Sequence, residues 1–130
     1  MEKVYQKYKV DKEKNIYGDC WIACICTITG LDYDLFPDIN SFNWNDGEKE
    51  VWRKYVDEIL KVLSNHGWSY TGNFLNGEFK LIEKYCIAVG KSPRGNFNHA
   101  VVWHNGIYHD PYPDGGGLDN IQIFEYLYKD

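Results

Sequence analysis

The chain has 130 residues, of which 44% are hydrophobic and 17% aromatic, and its formal net charge is −5. This length fits one domain, residues 1–130, with a sizeable core. The acidic balance provides no basic surface for nucleic acid. No apolar run is long enough to span a bilayer, and no secretion signal is recognisable. We therefore expect a cytoplasmic protein with neither a nucleic-acid nor a membrane partner.

Residues 3–9 alternate weakly between apolar and polar side chains, which predicts an edge strand. Residues 19–29 predict a helix that is apolar nearly all round and therefore buried. The dipeptide Gly18-Asp19 is a typical turn and N-cap signal at its start, and Gly30 stands where a helix C-cap is expected.

After a polar, aromatic loop at residues 31–45, a second helix is predicted at residues 47–65, with Asn45-Asp46 as its cap. Its apolar residues recur at helical spacing and form a stripe that consists of Val51, Tyr55, Ile59, Val62 and Leu63.

The second half of the chain predicts an antiparallel sheet. The expected elements are a strand that starts at Trp68–Tyr70, a turn at Asn76-Gly77, a strand at 85–89, a hairpin at 99–110 and a strand at 121–128 that closes the sheet. Helices followed by strands are typical of the α+β class. Loops 31–45 and 72–79 are expected to supply most of the walls of any pocket.

Cys20 falls in the first turn of the first predicted helix. The free N–H groups and the helix dipole at that position stabilise a thiolate. A buried helix that presents a thiol at its start is the arrangement of an activated cysteine nucleophile. The remaining thiols, Cys24, Cys26 and Cys86, are expected in the core, because cysteine is among the residues most often buried.

The hairpin predicts a partner for this thiol. Asn105-Gly106 favours a two-residue type I′ turn, which would pair His104 with Ile107, Trp103 with Tyr108, Val102 with His109 and Val101 with Asp110. His99 then lies on the same sheet face as Asp110 and diagonal to it, within side-chain reach. The carboxylate would hold the imidazole and leave its other nitrogen for a nucleophile.

His104 and His109 would lie on the opposite face, and neither receives a role. The residues therefore predict a Cys-His-Asp nucleophilic site made of Cys20, His99 and Asp110. Without a secretion signal, reduced thiols are expected rather than disulfides. No second pair of ligands completes a zinc site, so no metal is expected, and no residue pattern indicates another cofactor.

Several segments together resemble papain-like cysteine peptidases, and most closely the small bacteriocin-leader-peptidase-like proteins common in phage genomes. The resembling segments are Val4-Tyr5-Gln6, Gly18-Asp19-Cys20 with Ala23-Cys24, Leu35-Phe36-Pro37, Ser92-Pro93-Arg94-Gly95, His99-Ala100-Val101-Val102, His109-Asp110-Pro111 and Gly116-Gly117-Leu118. The resemblance implies a papain-like fold, with an N-terminal nucleophile helix packed on a C-terminal antiparallel β-sheet.

The same resemblance implies that Cys20 is the nucleophile, His99 the general base, Asp110 the orienting carboxylate and Gln6 an oxyanion donor. Gln6 precedes Cys20 by fourteen residues, a longer interval than is usual in the family. Either the insert 9–15 bulges out and leaves Gln6 in place, or Asn15 is a substitute donor.

Two functions follow from these expectations. One is a cysteine hydrolase that acts through an acyl-enzyme on a peptide, amide, isopeptide or thioester substrate. The other is an accessory protein that uses the same cleft to bind a host protein or a small signalling molecule. Arg94 lies near His99 in the sequence, where it would either contact a carboxylate or remain solvated. The oligomeric state stays open.

Overall fold

The computed structural model describes residues 1–74 and 84–130. In this part of the chain, two α-helices pack on one face of a five-stranded antiparallel sheet, which confirms the α+β class. The helices are α1 (Cys20–Thr29) and α2 (Glu48–Asn65), and the strands are β1 (Trp68–Phe74), β2 (Cys86–Lys91), β3 (Asn98–Trp103), β4 (Ile107–His109) and β5 (Ile123–Lys129). The predicted turn at Asn76-Gly77 lies outside the described residues.

The strand order is β1-β5-β2-β3-β4. The last strand in the chain therefore lies inside the sheet, between β1 and β2, where Tyr70 pairs with Leu127 and Ala88 with Phe124. The sequence correctly predicts this strand, but periodicity alone does not show where a strand lies in a sheet.

The main core lies between the helices and the sheet. The apolar stripe of α2 is buried there through Val51, Tyr55, Ile59 and Leu63, and Ile22 and Ile25 of α1 pack on the same sheet face. A smaller cluster on the other face consists of Cys86, Ala88, Val101 and Phe124, and Leu118 and Ile121 pack against it. Both faces of the central strands are therefore buried, which explains their continuous apolar runs.

Helix α1 begins at Cys20 and ends as predicted. Gly30 adopts a left-handed conformation with φ 74°, and its N–H donates to the carbonyl of Cys26. Asp19 occupies the N-cap position as predicted, but the expected capping bond is wrong, because its side chain makes no hydrogen bond to this helix. The carboxylate instead accepts from Tyr8 and Tyr33, which belong to other segments.

The predicted cap of α2 is also wrong. Asn45 and Asp46 belong to a 3-10 helical turn, Trp44–Asp46, in which the Asn43 side chain accepts from the backbone N–H of Asn45. Gly47 occupies the N-cap position with φ 112° and provides no side-chain cap.

The predicted edge strand at residues 3–9 is wrong as well. Residues 4–8 form an irregular segment, here called the N-terminal strap. The N–H of Val4 donates to Thr27 Oγ1 at 3.0 Å, and the N–H of Gln6 donates to the carbonyl of Pro111 at 3.1 Å. Because its backbone groups bond to several different elements, the strap has no strand ladder.

The predicted hairpin register is right in part. Val102 pairs with His109 as expected, but Trp103 pairs with Ile107 across a bulge, and β4 ends at His109. Val101 and Asp110 are therefore not a ladder pair. The loop is one residue longer than a type I′ turn, although Asn105 and Gly106 both have positive φ. Neither helix in the described residues is long and apolar enough to cross a membrane.

Candidate active site

The end of the hairpin brings the predicted imidazole and carboxylate together. His99 is the second residue of β3, and Asp110 directly follows β4. His99 Nε2 donates to Asp110 Oδ1 at 2.7 Å, and the two side chains are 2% and 10% exposed. His99 and Asp110 are therefore close to each other, as predicted, and a direct hydrogen bond joins them. The other ring nitrogen of His99, Nδ1, is left for another partner.

The Asp110 carboxylate is held from three sides. Besides His99, it accepts from the backbone N–H of Tyr112 at 2.9 Å and from that of Gly117 at 2.8 Å. Burial would raise the pKa of Asp110, but these hydrogen bonds and the charge of His99 outweigh it and lower that pKa below its usual range. The carboxylate therefore stays ionised at neutral pH.

Cys20 and His99 line the same cavity of about 210 Å³. Burial would lower the pKa of His99, but hydrogen bonding to Asp110 and Cys20, with the charges of both groups, raises it to about 9. At neutral pH the ring is therefore a cation. Cys20 is only partly buried, and its side chain interacts with this ring.

Gln6 also lines this cavity, despite its distance from Cys20 in the sequence. The strap carries it there, and the insert bulges out, with Asp11 and Ile16 paired in a bridge at its base. Gln6 Nε2 donates to the Tyr8 carbonyl at 2.7 Å, which leaves one N–H of the amide for a ligand. Of the two alternatives in the sequence, the structure favours the bulged insert.

Asn15 lies elsewhere. It is an exposed turn residue with φ 55°, and it lines a neighbouring groove rather than the cavity of His99. Its side chain therefore does not join Gln6 and His99 around that cavity.

Asp19 is a site-supporting residue whose role the sequence analysis missed. It is 3% exposed, and its Oδ1 accepts from the N–H of Tyr8 at 2.9 Å while the hydroxyl of Tyr33 donates to Oδ2. Burial raises the pKa of Asp19, although the bonds from Tyr33 and the backbone oppose this change. Asp19 thus holds the backbone of Tyr8, the residue whose carbonyl accepts from Gln6. The only signal in the sequence is an acidic residue directly before Cys20, and an acid at that position is equally typical of a helix cap.

Two further buried polar residues were also missed. His109 is 4% exposed, and its Nε2 donates to the Val4 carbonyl at 2.7 Å, which anchors the strap. Glu125 in β5 is 8% exposed and accepts from Trp21 Nε1 at 2.8 Å and from the Tyr70 hydroxyl at 2.6 Å. Their partners are distant in the sequence, so no local motif marks them.

Arg94 lines the cavity of Cys20 and His99, but it already has partners. Its guanidinium lies 3.6 Å from the centre of the Tyr112 ring, and Nη1 donates to the Gly115 carbonyl at 2.8 Å. Arg94 thus connects the loop before β3 to the loop after Asp110, which makes it a structural cation. The side chain is half-buried, and a contact with a carboxylate ligand stays a prediction.

The other thiols are buried, as predicted. Cys24, Cys26 and Cys86 are free cysteines with at most 2% exposure. Burial raises the pKa of Cys24 well above its usual value and raises the pKa of both Cys26 and Cys86 to about 12. These three side chains are therefore poor nucleophiles. In residues 1–74 and 84–130, no group of three or more His, Cys, Asp or Glu side chains is arranged to hold a metal ion.

The comparisons with known proteins add one partial match. No family model matches the chain, and no solved structure matches it. A stretch of 68 residues is 34% identical to Immediate-early protein 1 of Murid herpesvirus 1 (strain Smith). This alignment covers 46% of the chain but only 11% of the viral protein.

Proposed function

We propose that the chain is a cysteine hydrolase in which Cys20, His99 and Asp110 act together on a carbonyl group. The 2.7 Å bond between His99 Nε2 and Asp110 is the observation that carries this proposal. It fixes the ring and leaves Nδ1 for the Cys20 side chain, which interacts with the same imidazole. A thiol, a base and an orienting carboxylate in series form the general arrangement of nucleophilic catalysis.

The reaction proceeds in two steps. The Cys20 thiolate attacks the carbonyl carbon of an amide, isopeptide or thioester, the bond to the leaving group breaks, and the His99 imidazolium gives that group its proton. The neutral imidazole then takes a proton from water, whose oxygen bonds to the acyl carbon. The carbon–sulfur bond breaks, which releases a carboxylic acid and restores the Cys20 thiolate. Asp110 remains ionised and stabilises the imidazolium throughout.

The oxyanion that forms in each step needs donors. Cys20 is the first residue of α1, so its backbone N–H has no partner within the helix. The second N–H of Gln6 Nε2 supplies the other donor in this proposal, because Gln6 lines the cavity. Two N–H groups beside the nucleophile form a typical oxyanion site. A papain-like arrangement belongs to the same proposal, since a helix provides the thiol and an antiparallel sheet the imidazole.

The first test is thiol labelling with iodoacetamide, followed by mass-spectrometric mapping of the modified residues. Cys20 is expected to react fastest, because the other three thiols are buried. His99→Ala should slow the labelling of Cys20 by about tenfold or more, because the thiolate loses its cation. The matched control is His66→Ala, which alters an exposed histidine at the end of α2.

The second test follows p-nitrophenyl acetate, whose cleavage releases a coloured phenolate. The protein should show a burst of about one phenolate per chain, because the acyl-enzyme accumulates before water resolves it. Cys20→Ala should abolish the burst. Equal bursts from the native protein and Cys20→Ala, or labelling of Cys20 no faster than of the buried thiols, would rule out the hydrolase.

One observation favours the second function, a binding protein. Gln6 Nε2 already donates to the strap, so the oxyanion site has a donor that is partly engaged. A protein that binds a host protein or a small signalling molecule in this cleft needs no oxyanion site. Slow labelling of Cys20 together with a missing burst would support this function over hydrolysis.

A further inference from the structure

A large groove adjoins the catalytic cavity. It has a volume of about 630 Å³, and it shares Gly18, Cys20 and Phe97 with the cavity that contains His99. The Cys20 sulfur of the proposed hydrolase would therefore lie where the cavity and the groove meet. The smaller space contains the base, and the larger one is big enough for a bulky side chain.

Six aromatic side chains line this groove. Tyr17 and Trp44 stack with their ring centres 4.3 Å apart, and Trp52 packs on Tyr55 at 5.5 Å. Trp52 is 47% exposed, so a large apolar surface remains open to a ligand. Surfaces of this kind favour flat aromatic groups, because stacked and edge-to-face rings attract one another beyond simple burial.

One wall is fixed rigidly next to the nucleophile. Trp21 lines the groove directly after Cys20, and its indole N–H donates to the buried Glu125 carboxylate at 2.8 Å. The Tyr70 hydroxyl holds the other carboxylate oxygen. This indole is therefore pre-organised, which reduces the entropy lost when a ligand packs against it.

The groove also includes an unpaired polar group. Tyr55 lines it and is 0% exposed, yet its hydroxyl has no hydrogen-bond partner in the described part of the chain. A buried hydroxyl without a partner is unfavourable and is usually completed by another polar atom. A ligand that combines an aromatic ring with a polar tip, such as a tyrosine side chain, matches this lining.

The position of the base determines which part of a substrate would occupy the groove. The leaving group must lie next to the imidazole that protonates it, and therefore in the cavity that His99 lines. His99 does not belong to the described lining of the groove. The groove, which Cys20 also lines, is therefore left for the acyl part of the substrate.

We propose that this aromatic groove binds an aromatic side chain, preferentially that of tyrosine, on the acyl side of the bond that Cys20 attacks. The proposal rests on the hydrolase function and specifies its substrate class. With an ester, the sulfur bonds to the acyl carbon, the carbon–oxygen bond breaks and a phenolate leaves. Water then bonds to the same carbon, the carbon–sulfur bond breaks, and the N-acyl amino acid leaves as Cys20 is restored.

The test compares the p-nitrophenyl esters of N-acetyl-tyrosine and N-acetyl-alanine. The tyrosine ester should have a kcat/KM about tenfold higher or more, because only its ring contacts the groove walls. Trp52→Ala should reduce this ratio several-fold. The matched control is Tyr128→Ala, which removes a 42% exposed aromatic residue of β5 outside the groove and should leave the ratio unchanged.

Equal kcat/KM values for the two esters, with a normal burst from p-nitrophenyl acetate, would overturn the groove proposal and leave the hydrolase intact. A binding measurement tests the groove proposal independently of the hydrolase proposal. Calorimetric titration of Cys20→Ala with N-acetyl-tyrosinamide and N-acetyl-alaninamide needs no catalysis, and the tyrosine compound should bind more tightly. Equal or undetectable binding of both would also contradict the proposal.

Discussion

The stability of the folded protein is expected to depend on pH through His99 and Asp110. The pKa of His99 is raised to about 9 in the folded chain, against about 6.5 when unfolded. The folded state therefore binds the proton more tightly, and this stabilisation is complete below about pH 6.5 and lost as the pH rises through about 9. The pKa of Asp110 is lowered, so its contribution is lost only under acid conditions.

We predict that the free energy of unfolding decreases by about 2 to 3 kcal/mol between pH 6 and pH 9.5 through this histidine. Urea denaturation at both pH values measures the change. His99→Gln should remove most of it, whereas His66→Gln should retain it. A native protein with equal stability at both values would contradict the raised pKa.

Asp19 is a second residue with a measurable effect. The substitution Asp19→Ala leaves the N–H of Tyr8 and the hydroxyl of Tyr33 without their acceptor. We expect a loss of about 1 to 3 kcal/mol in stability by urea denaturation, because both donors are partly buried. Asp19→Asn keeps one acceptor oxygen and should lose less. If Asp19→Ala and Asp19→Asn are equally stable, the two hydrogen bonds do not carry this effect.

At the scale of elements, two glycines test different physical constraints. Gly30 ends α1 with φ 74° and has open space around it, whereas Gly90 in β2 has an ordinary φ and would place an added Cβ 1.8 Å from the Asn120 carbonyl oxygen. Gly30→Ala should therefore lower stability by about 1 kcal/mol through backbone strain alone.

Gly90→Ala should be more severe. The carbonyl that it would meet belongs to the segment before β5, where the N–H of Asp119 donates to Lys91 and that of Gln122 to Val89. Because this backbone segment cannot move away without losing those hydrogen bonds, we expect the free energy of unfolding to fall by more than about 2 kcal/mol. Thermal unfolding of both variants gives the order, and the reverse order would contradict the assigned causes.

The elements also show how far local sequence determines this structure. Helix α1, its end at Gly30 and the pairing of Val102 with His109 follow from signals within a few residues, and they were predicted correctly. The strap was not, because the partners of Val4 are Thr27 and His109, and the latter lies 105 residues away. The bulge at Trp103 lengthened a loop whose dipeptide signal was otherwise typical.

In the candidate site, too, local sequence predicts some of the residues, whereas others come together only through tertiary packing. Cys20 and His99 stand on elements that the local pattern predicts, and Asp110 directly follows the predicted hairpin strand β4, so their approach could be expected. The groove residues Trp44 and Trp52 come together only through the packing of α2. The loop at 31–45 was expected to form pocket walls and does contribute Trp44, whereas residues 75–79 of the other expected loop lie outside the described residues.

At the scale of the whole molecule, the strap connects the hairpin to the start of α1 and carries Gln6. His109→Leu removes the donor that holds the Val4 carbonyl. We predict that the amides of Gln6 and Tyr8 then exchange with deuterium at least about tenfold faster, because the strap opens locally. Amides in the middle of α1 should keep their protection, and His66→Leu should change none of these rates. Unchanged exchange in His109→Leu would show that the strap is held without this bond.

The strand order has a consequence for how the molecule is made. Because β5 fills the gap between β1 and β2, a growing polypeptide emerging from the ribosome has no continuous sheet until that strand has left the exit tunnel. The indole beside the sulfur is held by a carboxylate on that same late strand. Newly synthesised chains are therefore expected to complete the sheet, and with it the support of the Trp21 indole, only after β5 has emerged.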